Sequence, residues 1–209
     1  MLGDLAARAS LWNRRRKLAL FMESVRPGPE TRVVDVGVGD TPFGTEPGVA
    51  ATHNFFEALY PWPDRITAVS DVPLPNFAQA FPSIRTVVAS GLELPFADDE
   101  FDVAFSNAVV EHVGSRKEQR RFVTELCRVA PKVFVSTPNR RFPVETHTLV
   151  PFVHWLPRRR ADRAMHALRR DNWDQVELLT KQELLDLFPS SVDARVVESR
   201  VTVSVLATR

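Results

Sequence analysis

The chain has 209 residues, enough for one α/β domain with a full core and short for two. Hydrophobic residues make up 44% and charged residues 25%, which excludes a disordered chain. The 27 Lys+Arg against 26 Asp+Glu leave a formal charge of +1, too little for a general attraction to nucleic acid. A lone cysteine, Cys127, excludes a disulfide framework and a cysteine-built zinc site. Arg14, Arg15, Arg16 and Lys17 interrupt the apolar run at 5–21, so the N-terminus does not read as a secretory signal. No stretch reaches the ~18 apolar residues of a membrane span. The expectation is a soluble, cytoplasmic protein built as one domain over 1–209.

Residues 4–25 carry Leu5, Leu11, Trp12, Leu18, Phe21, Met22 and Val25 near helical spacing, which predicts an N-terminal helix within 1–27, stopped by Arg26-Pro27-Gly28-Pro29. Thr31–Val36 is a β-branched run entering the turn Gly37-Val38-Gly39-Asp40. A loop at 41–48 and a helix at 49–60 follow. Strands are predicted at 66–69, 85–89, 100–107 and 132–136, with a short helical piece at 77–81, a turn at 108–113 and a helix at 118–129 between them. Residues 137–157 are punctuated by proline, then come a basic helix at 158–170 and another at 180–187. The last strands, near 193–198 and 201–207, are too closely joined for a parallel crossover and pair as a hairpin. Strands alternating with helices make a mostly parallel sheet with helices on both faces.

The glycine turn sits where an open α/β sheet has its ligand crevice, at the carboxyl end of the first strand. Glycine there lets the backbone approach a ligand closely. A dinucleotide fingerprint would need a third glycine at Pro42, and Asp35 and Asp40 would repel phosphates, although they suit a ligand with an ammonium group and hydroxyls. Ser70-Asp71 closes the second strand, where an acid can bond ribose hydroxyls. Without a ligand, the same residues read as an ordinary tight turn and a strand-end Asp.

Asp35-Val-Gly-Val-Gly39, Leu94-Pro-Phe-Ala-Asp98, Phe101-Asp-Val103 and Ser106-Asn-Ala-Val-Val-Glu-His-Val113, in that order, resemble the class I S-adenosylmethionine-dependent methyltransferases, in particular the methyltransferase type 11 group. The likeness covers roughly 28–140, with 180–188 as the late helix and the last two strands as the family's hairpin. It implies a Rossmann-like, seven-stranded, mostly parallel sheet with a C-terminal antiparallel hairpin, and S-adenosylmethionine as cofactor. On the matching positions it implies that Asp35, Gly37, Gly39 and Asp40 cradle the methionine part, Ser70 and Asp71 the ribose, Gly91 and Leu92 the adenine, and that Asn107 faces the cofactor. Thr41 replaces a frequent third glycine, and Ser90 stands where an Asp is usual.

For the acceptor, Ser106-Asn107-Ala108-Val109 lacks the Pro-Pro-aromatic run that base-flipping amine methylases carry, which argues against nucleic acid as the substrate. A hydroxyl acceptor needs a base, and histidine is the default. His147 and Glu145, in the loop after the fifth strand, and His112, after the fourth, are the catalytic candidates; His112 reads equally well as scaffold. Glu111, His112, Glu145 and His147 also have the atoms to hold a divalent metal such as Mg2+, against which Ala108 stands where metal-using relatives carry a carboxylate. Residues 137–175 compose an acceptor-side lid, with Asn139, Arg140 and Trp155 as substrate contacts. His154 and His166 read as structural. Arg158-Arg159-Arg160, Arg163 and Arg169-Arg170 read either as a solvated face or as a dock for an anionic group or an anionic membrane surface.

The resulting expectation is O-methylation of a small polyhydroxylated acceptor such as a sugar, glycan or glycolipid precursor. The alternatives are methylation of a quinone-like or phenolic ring or of carbon, and a non-catalytic cofactor-binding partner subunit. A nicotinamide oxidoreductase is disfavoured by Pro42 and by Tyr60 being the only tyrosine.

Overall fold

Seven strands form one sheet in the order β3-β2-β1-β4-β5-β7-β6. The computed structural model describes residues 2–40, 54–145, 148–170, 173 and 176–209. The strands are β1 (Val33–Val36), β2 (Ile66–Ser70), β3 (Arg85–Val88), β4 (Val103–Asn107), β5 (Lys132–Pro138), β6 (Asp193–Ser199) and β7 (Thr202–Thr208). The helices are α1 (Leu2–Val25), α2 (Phe55–Leu59), α3 (Pro75–Ala80), α4 (Arg116–Val129), α5 (Arg158–Ala167) and α6 (Lys181–Leu185). β1 to β5 pair in parallel, whereas β7 runs antiparallel to both β5 and β6.

Val33-Val34-Asp35-Val36 is buried along its whole length, as a central parallel strand covered on both faces must be. Alternation sends Val34 and Val36 into one core with Phe122, Val123 and Leu126 of α4 and Leu184 of α6. Val33 goes to the opposite core, with Phe21 and Val25 of α1 and Phe55 and Phe56 of α2. There Phe56 stacks on Phe105 at 4.0 Å between centroids, and Phe21 meets Phe56, Phe105 and Phe134 edge-on. A third, small core of Ala161, Met165, Trp173, Val176 and Leu178 lies under α5.

Several boundaries differ from the sequence expectation for local reasons. The fourth strand starts at Val103, because Asp99 and Phe101 donate their N–H groups to Arg128 and Val129 at the end of α4 instead of to a neighbouring strand. β5 continues through Thr137 and Pro138, since β7 pairs with it residue by residue as far as Pro138↔Thr202; two residues of the expected loop are therefore strand. α4 starts two residues early on a capping box, with Ser115 accepting from the Glu118 N–H and the Glu118 carboxylate accepting from the Ser115 N–H. The turn at 108–113 holds a short 3-10 segment, Val110–His112, and the lid another, Val153–Trp155. The loop at 41–48 and the first residues of the helix expected at 49–60 lie outside the described residues.

Candidate active site

β1 and β4 are neighbours, so the chain leaves β1 toward one side of the sheet and returns on the other. The carboxyl ends of the strands at that switch are where an open α/β sheet leaves a crevice. A cavity of about 400 Å3 lies there, bounded by the ends of β1, β2 and β3, by the turn after β4 and by Phe122 of α4.

Two glycines make the room. Gly37 has φ of +101°, and a Cβ there would run into the Val109 methyls. In this conformation the Gly37 and Val38 N–H groups both reach the Val69 carbonyl, at 2.9 and 3.1 Å. A Cβ on Gly91 would lie 2.6 Å from the Phe122 ring. Ala108, a non-glycine residue at φ +56°, turns the chain sharply after Asn107, with its N–H on the Ser136 carbonyl at 2.7 Å. The floor is apolar (Val36, Val38, Val69, Leu92, Val109), and Ser70, Asp71, Ser90 and His112 supply polar groups. A flat heteroaromatic ring, a neighbouring pair of hydroxyls and a polar tail are the kind of ligand such a lining fits.

Of the expected cofactor residues, Gly37, Ser70, Asp71, Gly91 and Leu92 line this cavity. Asp35, Gly39, Asp40 and Asn107 do not, and each has another partner. Asp40 accepts the Phe77 N–H at 2.8 Å and the Asn76 side-chain amide at 3.0 Å, which fastens the turn to α3. The Gly39 carbonyl accepts from Asn54. Asp35 is buried beside Glu57 of α2. Burial raises both carboxyls above their ordinary range, and for Asp35 the Glu57 charge adds to it. Among the described residues neither Glu57 oxygen has a hydrogen-bond donor.

Asn107, at the end of β4, accepts a 2.5 Å hydrogen bond from Lys17 Nζ of α1. That ammonium is buried, lies 5.9 Å from the Phe55 ring centroid, and is pulled down to about 8, first by burial and then by Arg14, against the opposing pull of Glu111 and Glu198. Glu111 is also buried, with Oε2 accepting from Thr137 at 2.8 Å and its backbone carbonyl accepting the Glu177 N–H at 2.8 Å. Lys17, Glu57 and Thr137 were absent from the sequence expectation. Lys17 could have been found, since it falls on the buried 17–21–25 stripe of α1 together with Phe21 and Val25.

His112 lines the cavity as an exposed side chain. Glu145 is buried, and its Oε2 accepts from the Thr148 N–H at 2.6 Å and hydroxyl at 2.7 Å, which braces the lid turn. His147 lies outside the described residues. Among the described residues no three His, Cys, Asp or Glu side chains gather as a metal site, so the Mg2+ expectation finds no support in them. Asn139 bonds the Arg200 carbonyl and the Arg141 N–H, Arg140 pairs with Glu183 at 3.5 Å, and Trp155 Nε1 donates to the Arg140 carbonyl at 2.8 Å. His154, read as structural, is buried with Nε2 between the Arg140 and Phe142 carbonyls. No helix among the described residues is long and apolar enough to cross a membrane.

The family described as Methyltransferase domain matches residues 56–132, from α2 to the start of β5. Solved structures with the same fold include the YcgJ protein from Bacillus subtilis, at 18% identity and a TM-score of 0.59 over 88% of this chain and 71% of that one. The N-methyltransferase NodS from Bradyrhizobium japonicum, in complex with S-adenosyl-L-homocysteine, matches at 12% and 0.58 over 94% and 86%. A SAM-dependent methyltransferase from Thermotoga maritima, a possible histamine N-methyltransferase, matches at 16% and 0.54 over 93% and 90%. No curated protein sequence matches the chain. Residues 56–132 thus match the Methyltransferase domain family, and the fold of the chain is the one these solved S-adenosylmethionine-dependent methyltransferases share.

Proposed function

We propose that the chain transfers the methyl group of S-adenosylmethionine to a hydroxyl of a small polyhydroxylated acceptor, such as a sugar, glycan or glycolipid precursor. The observation that carries the donor half of this reading is the glycine-floored cavity at the β1–β4 switch, with Ser70-Asp71 on one wall and Gly91-Leu92 on another. In this reading Asp71 accepts from the ribose hydroxyls, Leu92 and Phe122 flank the adenine, and the Gly37 turn leaves room for the methionine part. The donor, when bound, supplies an electrophilic methyl on a positively charged sulfur.

The chain's own share is to hold the acceptor oxygen in line with that methyl, exclude water and remove the hydroxyl proton. We assign the 137–175 segment as the acceptor-side lid of a single domain, Asn139, Arg140 and Trp155 as its acceptor contacts, and His147 as the base, with His112 and Glu145 nearby in sequence to the same two loops. Asn107, at the end of β4, and Lys17 of α1, which bonds it, are further polar groups for the acceptor oxygen.

Calorimetry with S-adenosylhomocysteine tests the donor half; failure of both donor and product to bind removes the reading altogether. A mass-spectrometric search of cell extracts for a methyl gain tests the acceptor half. A methylated nitrogen in place of a hydroxyl oxygen would favour N-methyl transfer, the reaction NodS is named for, and a methylated ring carbon would favour a phenolic or quinone-like ring. Donor binding with no methylated product anywhere would favour a non-catalytic partner subunit.

A further inference from the structure

A surface of the lid has features that methyl transfer does not call for. Between the isolated bridge Val144↔Pro151 and α5, the chain exposes four large apolar side chains within eight residues: Leu149 at 72%, Phe152 at 55%, Trp155 at 50% and Leu156 at 42%. Phe152 and Trp155 touch, with ring centroids 5.2 Å apart. The Trp155 indole N–H is already bonded to the Arg140 carbonyl, so the ring is held with its polar atom satisfied inward and its carbon surface in water. Phe152 is itself held out by a left-handed backbone, φ +61°. The buried neighbours Ala161 and Met165 belong to the small core beneath α5, so the apolar demand of that core is met by other residues.

Directly after this apolar turn comes α5, whose exposed side is cationic. Arg158 is matched: it pairs with Asp162 at 2.8 Å and Glu177 at 3.1 Å and lies over the Trp173 ring. Arg159, Arg160, Arg163, Arg169 and Arg170 are exposed, and among the described residues none of them has a carboxylate partner. Arg159, Arg163 and His166 fall on one stripe of α5, opposite buried Ala161 and Met165, and Arg169 and Arg170 follow in the turn after it. The first turn of α5 is Arg158-Arg159-Arg160, with no acidic residue and no side-chain cap. Cations at that end oppose the helix dipole, so local helix stability does not account for them.

We propose that this face of the lid docks onto an anionic membrane surface, with Leu149, Phe152, Trp155 and Leu156 entering the headgroup–acyl boundary and the α5 arginines meeting lipid phosphates. Amphipathic elements bind bilayers by this pairing of buried apolar area with cationic attraction. Arginine holds its stem along apolar surface while its head stays with the phosphates. The apolar members separate a lipid surface from a nucleic acid: Leu149 and Leu156 have no ring to stack on a base, and a chain of formal charge +1 has no general field for a polyanion. The lid leaves the carboxyl end of β5, the edge of the sheet that carries the cavity, so docking sets that edge toward the bilayer. The proposal does not depend on the chemistry of the cavity.

The test is co-sedimentation of the full chain with vesicles of phosphatidylcholine containing about one third phosphatidylglycerol, against pure phosphatidylcholine, at low and high salt. The expected result is partitioning to the anionic vesicles, weakened by salt and reduced roughly tenfold or more both in Arg159→Glu/Arg163→Glu and in Phe152→Ser/Trp155→Ser. Should a variant fail to fold, brominated lipids still read insertion of Trp155, as the part of the quenching of the four tryptophans that Trp155→Phe removes. Absence of partitioning, partitioning indifferent to lipid charge, or no quenching overturns the proposal. So does arginine-dependent binding to single-stranded RNA without binding to vesicles.

Discussion

At the residue scale, the two cavity glycines make the sharpest expectations. Gly37→Ala forces a side chain into a positive-φ conformation and into the Val109 methyls. It is expected to destabilise the chain by about 1–3 kcal/mol and to abolish detectable S-adenosylhomocysteine binding, read by thermal denaturation and calorimetry. Gly91→Ala meets the Phe122 ring at 2.6 Å and a Val36 methyl at 3.2 Å, and Phe122 is the tighter contact and can be trimmed, so Gly91→Ala/Phe122→Leu should recover part of the lost stability where Gly91→Ala alone does not.

The buried titratable groups give pH dependences of opposite sign. Lys17 is lowered to about 8 in the fold from 10.5, so between those values the unfolded chain binds the extra proton and this residue's contribution makes stability rise with pH. Urea midpoints of Lys17→Met and wild type should therefore converge across that window, whatever Cys127 and Tyr60, both raised by burial, add to the two proteins alike. Asp35 and Glu57 are raised instead. Their contribution is complete below the ordinary carboxylate range and is lost as pH rises through their folded values. Glu57→Gln should flatten the fall in stability from mildly acidic to neutral pH; an unchanged slope would mean that folding does not raise the Glu57 carboxyl.

At the element scale, the polar hooks are local and separable. Arg128 at the end of α4 donates to the Leu94 and Phe96 carbonyls at 2.9 and 2.7 Å while paired with Glu125, and so holds the 94–98 turn against the helix. Arg128→Lys keeps the charge but loses the fork. It is expected to cost about 1–2 kcal/mol in urea denaturation, discounted because the group is partly in water. Strand and helix existence was legible in the sequence wherever the apolar period was unambiguous. Val33–Val36 reads as a buried strand because every residue but one is valine, and α4 reads as a helix because Phe122, Val123, Leu126 and Val129 keep its spacing. The ends were less legible. Nothing in Thr137-Pro138 announces strand, since what makes it one is β7, over sixty residues later.

At the scale of the whole molecule, a mostly parallel sheet closed by an antiparallel hairpin followed from the alternation of elements; the order of the strands, with β7 between β5 and β6, did not. The family likeness added an expectation that alternation could not, namely which turn would meet which part of a cofactor. Each of Gly37, Ser70-Asp71 and Gly91-Leu92 sits in a short strand-end signal, and the fold brings these three signals to one cavity. The buried polar cluster beside it was less legible, because it is assembled from distant segments. Lys17 reaches Asn107 across 90 positions, and Glu111 joins Thr137 only after β4 and β5 have paired. A basic run and a strand-end threonine carry no local mark of that meeting. His147→Ala, assayed for turnover and donor affinity separately with the acceptor found by methyl gain, is expected to lose turnover by two orders of magnitude or so and keep donor affinity.

The position of β7 between β5 and β6 has a consequence for how the chain is made. Synthesis supplies β1 to β5 first, yet β5 keeps one row of amide and carbonyl groups unclaimed until residues 202–208 emerge, because its partner on that side is encoded after every other strand. A nascent chain therefore carries a sticky, unprotected border for its last stretch of translation, and β6 cannot shield it without β7. Early termination inside the hairpin should thus yield inclusion bodies rather than a shortened but soluble product.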